Sequence, residues 1–167
     1  YGRREGGGNE NYVQRNAAVG ARRVHLPMVD ETRIKRQASD ERPIAARSYL
    51  KMFERGGPAL TEAFAYIADP AHHPLVFHCA AGKDRTGILA AMLLGVLGVD
   101  DETIVADYAL SQANMAKALE KIRARPDAER ILASRPPATF EAPVEALIGF
   151  VDAVRGTYGT WEAAATV

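Results

Sequence analysis

The residues with the clearest chemical potential form one short segment, which runs from His78 to Gly87 with the sequence HCAAGKDRTG. Within it, five residues separate Cys79 from Arg85. A cysteine thiolate is a strong nucleophile, and the planar guanidinium of an arginine can bind two oxygens of one tetrahedral anion. The pair at this spacing predicts nucleophilic attack on the phosphorus of a bound phosphate ester.

The small side chains between these two residues favour an anion-binding loop. Gly82 permits a turn that a side chain would obstruct. Consecutive N–H groups that point into such a loop form a nest for a tetrahedral anion, and the positive end of a following helix strengthens it. The same groups lower the pKa of a thiol. The residues expected to surround the phosphoryl group are Ala80, Ala81, Gly82, Lys83, Asp84 and Arg85.

Residues at the two ends complete the predicted site. Thr86 is placed to hydrogen-bond the sulfur of Cys79, His78 is expected to shape the loop through hydrogen bonds, and Gly87 closes it. Because Cys79 is the only cysteine, an internal disulfide and a multi-cysteine zinc site are excluded. Taken alone, such a thiol is more often an inert core residue. The combination of residues around it favours the chemical interpretation.

The flanking elements are predicted to hold the loop at the edge of a sheet. Residues 74–77, Pro-Leu-Val-Phe, form a short apolar run typical of a buried parallel strand, and Ile88 to Leu97 is apolar on nearly every side, as in a buried helix. Open α/β folds bind ligands at the carboxyl ends of such strands. We therefore expect an α/β fold with a central, mostly parallel sheet flanked by helices, and a helix that begins at about Thr86.

Only one other segment, Ala21 to Met28, has a strand-like alternation, carried by Val24 and Leu26. Two strands make a poor sheet. The sequence therefore predicts that further strands precede Tyr1, or that residues are missing within the numbered chain.

Helical patterns account for much of the remaining sequence. The first predicted helix covers Ile44 to Phe53 and ends at Gly56 and Gly57, and a second begins at Pro58. A third runs from Glu102 to about Ile122, with Asp101 as its cap. A fourth begins at Thr139 or Pro143 and ends at Gly156, and a last one begins at Thr160. We expect one domain over residues 1–167, with a possible lid or insertion at 31–57 that includes the strongly charged segment from Glu31 to Arg42.

Overall composition predicts neither nucleic-acid binding nor stable membrane insertion. The 167 residues are 47% hydrophobic, and 21 basic groups balance 21 acidic ones. Residues 1–58 carry 12 basic and 7 acidic groups, which would attract an anionic substrate or simply form a solvated basic face. The longest apolar run, Ile88 to Val99, is too short to span a bilayer. With no visible signal peptide, we expect a cytoplasmic protein, or one secreted by another route.

Two competing motifs do not fit. A nucleotide-binding P-loop needs a glycine and a Ser or Thr where Phe77 and Asp84 stand. A papain-like site needs a distant histidine, for which His25 is the only candidate, and it leaves Arg85 unexplained.

The loop from His78 to Gly87 resembles the signature of the atypical bacterial tyrosine/lipid phosphatases of the mycobacterial B type. Softer similarity covers most of the chain from about residue 20, over Val24 to Asp30, Tyr49 to Asp69, Asp107 to Ser111 and Tyr158 to Trp161. The resemblance implies a cysteine-phosphatase-like fold, no metal or other cofactor, and a phosphorylated protein or phosphoinositide as substrate. Family members usually begin with a strand and an Asp-Leu-Arg segment, which are absent here.

Two aspartates compete for the role of general acid. The resemblance implies Asp84, whereas Asp30 follows a predicted strand, where dual-specificity phosphatases often place theirs. Asp84 could instead form an ion pair with Lys83 or Arg85, and Asp30 could be a turn residue. Lys83 departs from the usual tyrosine phosphatase pattern and would meet a second phosphate, as in phosphoinositide phosphatases, or be a solvated lysine.

The sequence thus predicts a cysteine-dependent phosphatase that acts on phosphotyrosine, and on phosphoserine, phosphothreonine or phosphoinositides, through a phosphocysteine intermediate. The alternatives are a catalytically silent module that binds phosphorylated ligands and a sulfur-transfer enzyme that uses the same cysteine.

Overall fold

A computed structural model describes residues 20–28, 46–133 and 140–166. Residues 20–28 are irregular, and the other two ranges form α-helices joined by short loops, with a 3₁₀ turn at Pro70–His72. The helices are α1 (Ala46–Ala68), α2 (Asp84–Val96), α3 (Asp101–Arg123), α4 (Ala128–Ala133), α5 (Val144–Tyr158) and α6 (Trp161–Ala164).

The core lies where α1, α2, α3 and α5 meet. α1 packs most extensively on α5, α2 packs on both α1 and α3, and the short α6 closes against α2 and α5. Its largest fully buried side chains are Trp161, Tyr49, Phe150, Ile88, Met92, Ile104, Leu147 and Val154. Burial of these large apolar groups is the main favourable term that holds the helices together.

The helix that follows the loop is buried, as its continuous apolar run predicts. α2 buries Ile88, Leu89 and Met92, which confirms that prediction. It begins at Asp84, two residues earlier than expected, and leaves the helical conformation through Gly98, whose φ of +84° suits a glycine.

The predicted helix ends are close to the observed ones. Asp100, rather than Asp101, caps α3, because its carboxylate accepts the Thr103 backbone N–H at 2.8 Å. Pro143 precedes α5, and Thr160 caps α6 as predicted. The single-residue shift at α3 is of the size expected for helix termini.

The prediction of two helices separated at Gly56 and Gly57 is wrong. α1 runs continuously from Ala46 to Ala68 with Pro58 inside it. Proline removes one backbone hydrogen bond, yet the helix persists because its Tyr49, Phe53 and Leu60 side chains are buried in the core. Gly56 supports this packing, since a Cβ there would lie 3.1 Å from Met28.

The predicted α/β fold is also wrong, because no strand or sheet is present in the described ranges. Residues 74–77 have an irregular backbone, with the Val76 side chain 87% exposed and that of Phe77 36% exposed. The segment with Val24 is irregular as well. A strand is stable only beside a neighbour that pairs with its backbone groups, and no described segment pairs with either run.

More than half of the predicted lid at 31–57 lies outside the described residues, which omit 29–45. Its last part, residues 46–57, belongs to α1 and includes the buried Tyr49 and Phe53. No described helix is long and apolar enough to cross a membrane.

Candidate active site

The loop from His78 to Gly87 connects the irregular segment 74–77 to α2 and is open to solvent. Ala80, Ala81 and Gly82 are exposed, and the Cys79 side chain is half-buried behind them. Gly82 has a φ of +69°, and an added Cβ would meet no atom within 4 Å. The positive φ therefore favours glycine there, whereas the predicted obstruction of a side chain is not found among the described residues.

Hydrogen bonds fix the conformation around Cys79. Its backbone N–H donates to Thr86 Oγ1 at 2.9 Å, which ties the start of the loop to the first turn of α2. The His78 ring contacts the Cys79 carbonyl oxygen, with Nδ1 at 2.9 Å. The Gly87 N–H donates to the Lys83 carbonyl at 2.6 Å, which closes the first turn of α2. These contacts place His78, Thr86 and Gly87 where they shape the loop.

The pKa of the Cys79 thiol is lowered from its ordinary value. Burial acts in the opposite direction and favours the neutral thiol. Hydrogen bonds to the sulfur from the Thr86 hydroxyl and from the backbone of Thr86, Ala81 and Gly82 outweigh that effect. The Thr86 oxygen thus accepts one hydrogen bond from Cys79 while its O–H donates to the sulfur, and the arrangement favours a thiolate.

The two cations of the loop have different surroundings. Arg85 is half-buried in the first turn of α2, and its guanidinium has no hydrogen bond or ion pair with another residue of the described ranges. Lys83 is buried, with 3% of its surface exposed, and its ammonium donates to the Glu141 carbonyl. The same ammonium lies 4.0 Å from Asp84 Oδ1. The lysine is therefore part of the protein interior rather than the loop rim.

The Asp84 carboxylate accepts a hydrogen bond from the Tyr49 hydroxyl at 2.7 Å, and its side chain is 20% exposed. The Tyr49 hydroxyl also bonds that of Tyr108, at 2.7 Å. Asp84 lies in the first turn of α2, beside the other loop residues. Asp30, the other predicted acid, lies outside the described residues.

A cavity of about 260 Å³ adjoins the α2 side of the loop. Loop residues form one wall and α3 forms another. Its lining includes Gly82, Thr86, Gly87, Asp107, Tyr108 and Ser111. Thr86, which contacts Cys79, and α3, about 20 positions further along the chain, therefore line the same cavity.

Sequence reasoning did not identify Tyr49 and Tyr108 as site residues. Both lie on helix faces that are otherwise apolar, so helical spacing alone indicates core packing. The available signal is chemical, because a buried tyrosine hydroxyl requires a hydrogen-bond partner. Which partner it finds depends on how α1, α2 and α3 pack.

A family model described as the tyrosine phosphatase family matches residues 4–164 of the sequence. The chain belongs to this family. The match covers nearly the whole chain, including the loop and every described helix.

Individual relatives agree with that assignment. The chain is 41% identical over 64 residues to a tyrosine-protein phosphatase of Nostoc commune, a match covering 38% of the chain and 22% of the relative. It is 43% identical over 63 residues to the triple specificity protein phosphatase PtpB of Mycobacterium tuberculosis, covering 35% and 23%. A putative tyrosine-protein phosphatase of Cupriavidus necator is 47% identical over 58 residues, covering 34% and 21%. Each match spans less than a quarter of the relative's length. The family model and the mycobacterial relative confirm the predicted resemblance.

Proposed function

We propose that this chain is a cysteine-dependent phosphatase that hydrolyses phosphate monoesters through a phosphocysteine on Cys79. The observation that carries the proposal is the bond that ties Cys79 to the first turn of α2, from its backbone N–H to Thr86 Oγ1 at 2.9 Å, in a loop whose polar groups lower the pKa of the thiol. A thiolate is the reactive form of cysteine. The loop backbone that stabilises a thiolate is also suited to bind the oxygens of a phosphoryl group.

In the first step, the Cys79 thiolate attacks phosphorus, so that an S–P bond forms as the P–O bond to the leaving group breaks. Loop N–H groups and the Arg85 guanidinium stabilise the negative charge on the three equatorial oxygens. A protonated Asp84 transfers its proton to the departing oxygen, which leaves as an alcohol or phenol.

In the second step, water attacks the phosphocysteine. The Asp84 carboxylate takes a proton from the water, an O–P bond forms, and the S–P bond breaks. Inorganic phosphate is released and the Cys79 thiolate is regenerated. The Thr86 hydroxyl stabilises the sulfur as it leaves, since it already donates to that atom.

We assign the acid to Asp84 rather than Asp30 because Asp84 is adjacent to Arg85, and its half-buried side chain lies in the first turn of α2. Comparison of Asp84→Asn with Asp30→Asn tests the choice. The variant of the true acid loses the basic limb of the pH–rate profile for substrates with poor leaving groups. If only Asp30→Asn loses that limb, the assignment moves to Asp30.

Phosphotyrosine is the first substrate class to test, and phosphoserine, phosphothreonine and phosphoinositides are the further candidates. The cavity beside Thr86 is the candidate site for the group that carries the phosphate. The name of the mycobacterial relative describes triple specificity, which supports testing more than one class of substrate.

The direct test measures phosphate release from a phosphotyrosine peptide, a phosphoserine peptide and a phosphoinositide, with and without a metal chelator. We expect chelator-resistant turnover by the wild type and none by Cys79→Ser. Tight binding of these ligands without turnover would contradict the proposal and support a binding module. A persulfide formed on Cys79 with thiosulfate, in the absence of phosphatase activity, would instead support sulfur transfer.

A further inference from the structure

Two buried tyrosines, one on each side of Asp84 in the sequence, form a hydrogen-bonded chain that ends at its carboxylate. Tyr49, from α1, is fully buried, and Tyr108, from α3, is 4% exposed. The Tyr49 hydroxyl lies 2.7 Å from Asp84 Oδ1 and 2.7 Å from the Tyr108 hydroxyl. Tertiary packing of three helices is therefore needed to build this contact.

The direction of the hydrogen bonds follows from the number of protons available. Each tyrosine hydroxyl has one proton to donate. Because Tyr49 donates to Asp84, Tyr108 must donate to the Tyr49 oxygen. The result is a chain that runs from Tyr108 to Tyr49 and ends at Oδ1, while no described residue hydrogen-bonds Oδ2 of Asp84.

Packing holds both rings in place. The Tyr49 ring meets Tyr108 edge to face at a centroid distance of 6.3 Å and Phe150 at 6.5 Å. The Tyr108 ring lies directly against Gly87, where an added Cβ would stand 2.8 Å from Cε2. A side chain at position 87 would therefore displace Tyr108, which gives Gly87 a role beyond closing the loop.

The surroundings of both hydroxyls favour their protonated form. Burial raises the pKa of Tyr49 far above its ordinary value, and the Asp84 charge acts in the same direction. Burial likewise raises the pKa of Tyr108, and the Asp84 charge again acts in the same direction. Among the described residues, the Lys83 ammonium lies 4.0 Å from Oδ1 of this carboxylate, and the Phe150 ring of α5 packs against Tyr49.

We propose that Tyr49 and Tyr108 are positioning residues for the general acid: Tyr49 holds Oδ1 of Asp84, so that Oδ2 carries the proton delivered to the leaving oxygen. This inference rests on the proposed function. A fixed carboxyl group needs less reorganisation when the proton moves, and correctly placed acid catalysis accelerates such reactions by about 10²–10⁴-fold. Tyr108 orients the Tyr49 hydroxyl and strengthens its bond to the carboxylate.

The test compares Tyr49→Phe and Tyr108→Phe with a matched control, Tyr158→Phe, in the full chain. Tyr158 packs its ring on Phe53 and lies away from the loop. Each change removes one hydroxyl and keeps the ring. The substrates are p-nitrophenyl phosphate, whose leaving group needs little protonation, and phenyl phosphate, whose leaving group needs much more.

We expect Tyr49→Phe to lower kcat for phenyl phosphate by about tenfold or more, with a smaller loss for p-nitrophenyl phosphate and little change in KM. Tyr108→Phe should produce the same change to a smaller extent, and Tyr158→Phe should leave both substrates unaffected.

The inference is overturned if Tyr49→Phe and Tyr108→Phe match Tyr158→Phe in the leaving-group dependence of kcat, while Asp84→Asn loses the basic limb of its pH–rate profile. If Cys79→Ser retains wild-type activity, the proposed function itself fails. Thermal unfolding of each variant identifies any loss of stability. The use of two tyrosine variants keeps the test decisive if one of them does not fold.

Discussion

The Thr86 hydroxyl accepts the Cys79 backbone N–H at 2.9 Å, and Thr86 also helps to lower the pKa of the Cys79 thiol, so one side chain both holds this cysteine in place and favours its thiolate form. The bond joins the start of the loop to the helix that follows it. Because Ile88 and Met92 anchor α2 in the core, the bond to Thr86 restrains the start of the loop.

The first prediction concerns the pH dependence of thiol reactivity. Since the pKa of Cys79 is lowered, the thiol of the folded protein ionises at a pH below 9.0, its ordinary pKa. We expect iodoacetamide alkylation of Cys79 to rise with pH to a plateau whose midpoint lies below 9.0. Thr86→Val should move that midpoint to higher pH and slow turnover about tenfold, because a hydrogen bond to a charged group contributes about 1.5–3 kcal/mol.

The control for this experiment is Thr61→Val. The Thr61 hydroxyl donates to the Gly57 carbonyl on α1, and its side chain is exposed. Its removal should leave the alkylation midpoint unchanged. Equal midpoints for the wild type and Thr86→Val would show that the hydroxyl does not stabilise the thiolate.

The second prediction separates the conformational role of Gly82 from its effect on stability. Gly82 and Gly98 both have positive φ angles, +69° and +84°, and neither has an atom within 4 Å of an added Cβ. Replacement by alanine should cost about 1–2 kcal/mol at either site, measured by denaturant unfolding. Only Gly82→Ala should also reduce phosphatase activity and raise the alkylation midpoint. Equal activities would argue against a loop that depends on Gly82.

The third prediction concerns Lys83, whose ammonium donates to the Glu141 carbonyl. Lys83→Met keeps the length of the side chain but removes this bond and leaves the carbonyl without that donor. We expect a loss of about 1–3 kcal/mol in the free energy of unfolding. The exposed Lys117 gives the control, Lys117→Met, which should change stability by less than about 0.5 kcal/mol.

The same variant tests whether Lys83 meets a second phosphate. Because its ammonium lies inside the protein, we expect Lys83→Met to leave the ratio of phosphoinositide to phosphotyrosine turnover unchanged. A selective loss of turnover for polyphosphorylated headgroups would show that the lysine leaves Glu141 and binds substrate.

The fourth prediction concerns the packing of α6 on α2. A Cβ at Gly95 would lie 2.2 Å from Cγ of the buried Trp161, so Gly95→Ala should destabilise the fold by about 1–3 kcal/mol or more. Gly156 lies inside α5 with no atom within 4 Å of an added Cβ. Gly156→Ala should stabilise by about 0.5–1 kcal/mol. Thermal unfolding of the two variants checks this prediction, and equal changes in their unfolding temperatures would contradict the packing of Trp161 on Gly95.

The loop and its helix were predictable from the sequence because their determinants are local. The small residues before Arg85, the glycine at a positive φ and the apolar run of α2 all lie within about 20 consecutive positions. Thr86 could be placed near the sulfur because only six residues separate it from Cys79. The helix caps at Asp100 and Thr160 were predictable to within one residue for the same reason.

The remaining features depend on long-range packing, and the local sequence does not determine them. The run at 74–77 has the composition of a strand, but no described segment pairs with it. Pro58 would end an isolated helix, and burial of Phe53 and Leu60 keeps α1 continuous. The contact of Tyr49 with Asp84 joins residues 35 positions apart and exists only because α1 packs on α2.

The most direct test of the central claim is detection of the covalent intermediate. Enzyme mixed with a phosphotyrosine peptide is quenched in acid within one turnover, digested and examined by mass spectrometry. We predict one phosphoryl group on the wild-type peptide that contains Cys79, and none in Cys79→Ser. Substrate turnover with no phosphoryl group on Cys79 at any quench time, or with the group on another residue, would contradict the proposed mechanism.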